Sequence, residues 1–150
     1  DDYTAAIQSA ADDRVRLVGG LWDQALLDQL YAHCLTYLHG HSVGGTNPSL
    51  LRAAGAGAFV IAYDVDFNRE VVGAHADYFA DPQSVASAVI AAESDASWAK
   101  ARGMGLRRDI VRYSWDDVAD SYERLAEDLL ANGQKSRRQR PSGSRKNANR

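Results

Sequence analysis

The sequence predicts an α/β protein, a parallel sheet flanked by helices, in one compact domain over residues 1–131. Apolar runs of strand length alternate with amphipathic stretches of helix length through the first half. The run Phe59–Tyr63, FVIAY, has no charged position, as a strand covered on both faces requires. With 45% hydrophobic residues in 150, the chain can bury one sizeable core.

Each element follows from local chemistry. Tyr3 to Ala11 is expected to be helical, and Arg14 to Val18 a short β-branched strand ended by Gly19 and Gly20. Asp23 can cap a helix in which Leu26, Leu27, Leu30, Tyr31 and Cys34 recur at three-and-four spacing, so that one face is buried. Leu35 to Leu38 is the next strand, a small-residue loop follows, and Pro48 opens a helix that runs toward Phe59–Tyr63. The stretch DVDFNREVVGAHADYFADP reads as a loop with one short helical turn. Helices follow over Pro82 to Ala92 and from Ser97 to about Tyr113, the second weakened in its middle by Gly103 and Gly105. Ser114 and Asp117 form a capping box for a last helix, with Val118, Tyr122, Leu125 and Leu129 as its buried stripe. Trp22 and Trp115 are expected to be packing residues.

Charge is distributed unevenly. Residues 1–131 hold 10 Lys/Arg against 20 Asp/Glu, whereas residues 132–150 hold seven basic residues and no acidic one. An acidic body argues against nucleic acid, whose phosphates require clustered Lys and Arg. The tail has no apolar residue except one Ala and is expected to be disordered. A basic tail suits peripheral contact with anionic headgroups at the inner face of a membrane. No stretch approaches the roughly 20 apolar residues of a membrane helix, and no signal-peptide pattern opens the chain. The lone Cys34 reads as a reduced, buried thiol of a cytoplasmic protein. An opening without Met, in a helix already under way, leads us to expect a piece of a longer polypeptide.

The chemistry concentrates in HGHSVGGTNPSLLRAAGAG, His39 to Gly57, between a strand end and a helix start, where open α/β sheets bind ligands. Gly44 and Gly45 permit a sharp turn and close approach of backbone to a ligand. Thr46 and Asn47 are good caps, and Pro48 suits the first helical position. Free N–H groups and the helix dipole would then attract an anion, although the same residues also make a serviceable turn without one. His39 and His41, with no carboxylate or Cys near them in sequence, are a poor metal pair and serve better as hydrogen-bonding groups at the loop mouth. Asp64 and Asp66, after the buried strand, have the chemistry of general bases, but solvated acids are common there.

The span Arg14 to Leu130 resembles the C-terminal, donor-binding domain of GT-B glycosyltransferases of family 4, and within them the rhamnosyltransferase-like branch. The motifs are HGHSVGGTNPSLL, His39 to Leu51, and FNREV, Phe67 to Val71. The resemblance implies a Rossmann-like half that holds a nucleotide-diphosphate sugar, an acceptor-binding N-terminal half upstream of it, and sugar transfer with retention in the cleft between them. It places the diphosphate on Gly44, Gly45, Thr46, Asn47 and Ser49, and lines the donor pocket with His41, Arg52, Asn68, Arg69 and Glu70. It implies no metal or other cofactor, since N–H groups aimed at the leaving diphosphate supply the stabilisation. No catalytic side chain is assigned.

One departure matters. The wider family carries two glutamates separated by seven residues around this helix start, and here those positions are Gly44 and Arg52. The second glutamate accepts hydrogen bonds from ribose, which a guanidinium, having only donors, cannot do. Arg52 then either reaches phosphate or lies on the solvent face of its helix. The expected activity is sugar transfer, possible only with the acceptor half, from a nucleotide-diphosphate sugar, rhamnose by resemblance, to a glycan or lipid-linked acceptor. The alternatives are a fragment of a nucleotide-sugar epimerase and a non-catalytic nucleotide-binding or interaction module.

Overall fold

The computed structural model describes residues 2–138. The chain divides into two compact units, Asp1–Val111 and Arg112–Arg150. The first unit contains helices α1 (Asp2–Ala10) and α2 (Gln24–His33), strand β1 (Thr36–His39), helix α3 (Pro48–Ala56), strand β2 (Phe59–Tyr63), helix α4 (Asp66–Val72), strand β3 (Asp77–Phe79) and helices α5 (Pro82–Ser94) and α6 (Ala96–Asp109). The second contains α7 (Trp115–Arg138).

The sheet is parallel, in the order β1-β2-β3. Thr36 pairs with Phe59 and His39 with Ala62 on one side of β2, and Ile61 pairs with Asp77 on the other. The central strand is β2, which explains its unbroken apolar composition. Phe59 and Ile61 pack on Ala92 of α5 and Ala99 of α6, with Trp98 and Phe79 beside them. Val60 and Ala62, alternating to the other face, are equally buried.

Caps set the helix starts. Asp23 accepts the N–H of Leu26 at 3.0 Å, and Asp95 accepts that of Trp98 at 2.8 Å. Asp81 and Ser84 form a reciprocal capping box ahead of α5, with Pro82 in its first turn. At the end of α3, Gly57 takes φ 84°, the left-handed conformation that stops the helix and feeds β2.

Several expectations are corrected. Arg14 to Val18 is not a strand: among the described residues no segment pairs with it, and Val15, Leu17 and Val18 are exposed. The stretch after β2 contains a strand, β3, that was expected to be loop. It is three residues long and held by pairing to β2 and by Arg102, which donates to Ala76 O and Asp77 Oδ1, both at 2.8 Å. No residue of α2 is buried; Leu27, Tyr31 and Cys34 are half-covered, while Leu26 and Leu30 are exposed. Trp22 and Trp115 are exposed at 89% and 85%, so neither packs.

In the second unit, Ser114 Oγ accepts the Asp117 N–H at 3.3 Å. The stripe of Val118, Tyr122, Leu125 and Leu129 is present at helical spacing but exposed rather than buried. The helix continues through residues 132–138, which composition assigned to the tail. The rest of the expected tail, residues 139–150, lies outside the described residues. Among the described residues no helix is long and apolar enough to cross a membrane.

Candidate functional site

The loop of residues 40–47 leaves the C-terminal end of β1 and enters α3, so strand direction and helix start converge where sequence placed them. Asn47 is the N-cap: its Oδ1 accepts the Ser49 N–H at 2.9 Å and the Ser49 hydroxyl at 2.7 Å. Pro48 occupies the first turn, where no N–H is needed. Gly44 adopts φ 134°, which side chains rarely tolerate, and a Cβ on Gly45 would meet nothing within 4 Å.

The residues expected to hold a diphosphate thus fall into two groups. Gly44, Gly45 and Thr46 are exposed and make no hydrogen bond among the described residues, which leaves their N–H groups without a protein partner there. Asn47 and Ser49 are turned inward, and both donors of Ser49 are used by the cap.

Beneath the loop lies a polar cluster. His39, at 1% exposure, stacks on His41 with ring centroids 4.8 Å apart and planes 13° apart. Its Nδ1 lies 3.4 Å from the Tyr37 hydroxyl, and its Nε2 is buried without a partner. Burial, and secondarily the neighbouring His41, hold the His39 imidazole below its ordinary range, so the neutral form prevails. An open recess of about 520 Å³ at this strand end is lined by Tyr37 to Val43, including His39 and His41. Gly44 to Asn47 lie past it.

The remaining pocket residues separate by role. Asn68 is fully buried and its Nδ2 donates to His41 O at 3.0 Å and Tyr63 O at 2.9 Å, which clamps the loop after β1 to the end of β2. It is thus a scaffold residue. Arg69 lies along Tyr78, 4.2 Å from the ring centroid, and pairs with Asp64 at 2.5 Å. Hydrogen bonding from Arg69 holds the Asp64 carboxyl below the usual range, which makes it a weak base. Asp66 begins α4, and Glu70, on the same helix, is exposed.

Arg52 is engaged by a neighbouring helix at the partly exposed side of α3. From the second turn of α3 it reaches across to α2, bonding Asp28 Oδ1 at 2.6 Å and the Gln24 side-chain oxygen. A helix-to-helix pair of this kind cannot be read from either helix alone. Tyr37 is the member of this cluster that sequence reasoning passed over. Its hydroxyl lies 3.0 Å from Ser49 Oγ, and its alternation with His39 on one strand was the available signal. Cys34 is half-buried, its thiol pushed up by burial and donating to Tyr31 O at 3.3 Å. Among the described residues no group of three His, Cys, Asp or Glu side chains is placed to hold a metal ion.

No family model and no curated protein matches the sequence. Among solved structures, a chain of the "Crystal structure of GtfA/B complex" matches with TM-score 0.67 and 19% identity, over 86% of this chain and 28% of that chain. The likeness shows the fold alone: a three-stranded parallel sheet flanked by helices, shared with that chain. This chain spans little more than a quarter of the neighbour's length.

Proposed function

We propose that the chain is the donor-binding part of a retaining glycosyltransferase, moving a sugar from a nucleotide-diphosphate sugar to a glycan or lipid-linked acceptor. The observation that carries this reading is the run of exposed residues Gly44, Gly45 and Thr46, whose N–H groups bond to no described residue, between the end of a parallel strand and a capped helix start. Such groups can meet the diphosphate and the charge that grows on it as the glycosidic bond breaks. The proposed sugar is rhamnose, from a thymidine or uridine diphosphate. Transfer requires an acceptor-binding half, which belongs to the proposal with it.

Calorimetric titration with UDP, dTDP and GDP tests the site. Gly45→Val is the informative variant, because a Cβ at residue 45 meets nothing within 4 Å in the free protein, whereas a ligand against the backbone would meet it. Binding of one nucleotide, lost in Gly45→Val, supports the reading; binding unaffected by the variant rules the loop out. A second reading, a non-catalytic nucleotide-binding or interaction module, draws on Gly44 and Arg52, since neither offers a carboxylate and Arg52 is engaged by Asp28. Sugar transfer by the chain together with its acceptor half would exclude it.

A further inference from the structure

Tyr37, His39, Ser49 and Asn47 form a chain of hydrogen bonds whose direction is determined by counting protons. Asn47 Oδ1 is an acceptor, since it receives the Ser49 N–H at 2.9 Å. The Ser49 hydroxyl also donates to it at 2.7 Å, and this uses the only hydroxyl proton Ser49 has. Ser49 Oγ can therefore only accept from the Tyr37 hydroxyl, 3.0 Å away. With that proton committed, the Tyr37 oxygen can only accept from His39 Nδ1 at 3.4 Å. The imidazole is neutral and buried, so its proton resides on Nδ1, and Nε2 is left as the bare, partnerless nitrogen.

We propose that Tyr37 is the positioning residue of the glycine loop, tying the cap of α3 to the buried His39 and fixing which imidazole nitrogen carries the proton. The ring so fixed is the platform on which His41 stacks, and Asn68 holds the His41 carbonyl from the other side. The loop is thereby gripped at His41, from two sides, before it reaches Gly44. At the α3 end, Tyr37 keeps the Ser49 hydroxyl turned into the cap, so that an anion is met by the backbone of Gly44 to Thr46. This last consequence rests on the diphosphate reading; the direction of the chain does not.

The experiment is long-range proton–nitrogen NMR of the labelled full chain, with Tyr37→Phe and Ser49→Ala. In the unsubstituted protein His39 should show a protonated Nδ1 and a bare Nε2. Ser49→Ala, two hydrogen bonds away from the ring, should shift His39 toward a mixture of tautomers, which a packing role for Tyr37 would not produce. Proton on Nε2 in the unsubstituted protein, or a tautomer unmoved by Ser49→Ala, overturns the proposal. Tyr37→Phe keeps the edge contact with Tyr31, 5.3 Å between centroids, and should give the same mixture. If Tyr37→Phe does not fold, Ser49→Ala decides alone. UDP, dTDP and GDP titrations complete the test: Tyr37→Phe should weaken the nucleotide that binds by about three- to tenfold, the scale of one ordinary hydrogen bond. Equal affinity overturns the positioning role. If the unsubstituted chain binds none of them, the diphosphate reading fails, and the tautomer measurements still judge the chain of bonds.

Discussion

Gly103 of α6 lies directly against the backbone of Gly57: a Cβ at residue 103 would stand 2.2 Å from the Gly57 carbonyl oxygen and 2.9 Å from the Phe59 nitrogen. The turn from α3 into β2 and the middle of α6 are thus packed backbone to backbone. The glycine that weakens the helix as an isolated segment is what lets it dock.

Gly103→Ala should therefore destabilise the domain. Helix propensity favours Ala by ~1 kcal/mol, but overpacking costs about 1–3 kcal/mol or more where rigid backbone must move. We expect a net loss, read as a lower denaturation midpoint at unchanged slope. Gly105→Ala should cost less, because its Cβ would meet the His75 ring at 2.3 Å, a side chain that can swing away at the expense of its 2.6 Å bond to Asp109.

Asn68→Ala should loosen the glycine loop. Removing the amide leaves the buried side of His41 O and Tyr63 O without its donor, a loss of about 1–3 kcal/mol. Limited proteolysis should cut within residues 40–47 faster than in the unsubstituted protein, while α5 and α6 remain protected.

The Arg52–Asp28 pair joins α3 to α2 and gives a pH signature. Hydrogen bonding from Arg52 holds the Asp28 carboxyl below its usual range, so the unfolded chain takes up this proton at higher pH than the folded one. The pair's contribution is present above the unfolded carboxylate pKa of about 3.9 and is lost as pH falls through the folded value. Arg52→Ala should lower stability at pH 7 and make little difference once Asp28 is protonated, as denaturation at both pH values would show. Arg52→Glu should be worse at pH 7, since it sets like charges against each other.

His39 gives the complementary dependence in the neutral range. Burial keeps its folded pKa below that of the unfolded imidazole, about 6.5, so the unfolded state binds the proton first as pH falls. Stability should be full above that value and decline below it, until the folded ring also protonates. In His39→Gln the decline between pH 7.5 and 5.5 should be smaller, measured by urea denaturation.

Phe59–Tyr63, Pro48 at its helix start, Asn47 as its cap and the alternation of strand and helix were legible in the sequence because each is decided within a few residues. Capping needs one oxygen near one N–H, and a doubly covered strand declares itself by lacking polar positions. Asp77–Phe79 was not legible, because three residues with an acid at their head carry no pattern of their own; β2 and Arg102 make them a strand. Arg14–Val18 failed in the opposite sense, having the composition of a strand and, among the described residues, no segment to pair with.

The candidate site divides the same way. By itself the sequence determined that a flexible, donor-rich loop precedes a capped helix, because glycine freedom, cap chemistry and the missing N–H of proline are properties of the residues. Only the tertiary structure decided which donors stay free. It turned Ser49 into the cap, drew Arg52 to Asp28, buried Asn68 as a clamp and joined Tyr37 to His39, since each of these depends on which elements lie side by side. Long-range pairing of polar groups follows from packing, and packing is the outcome of the whole chain rather than of any one stretch.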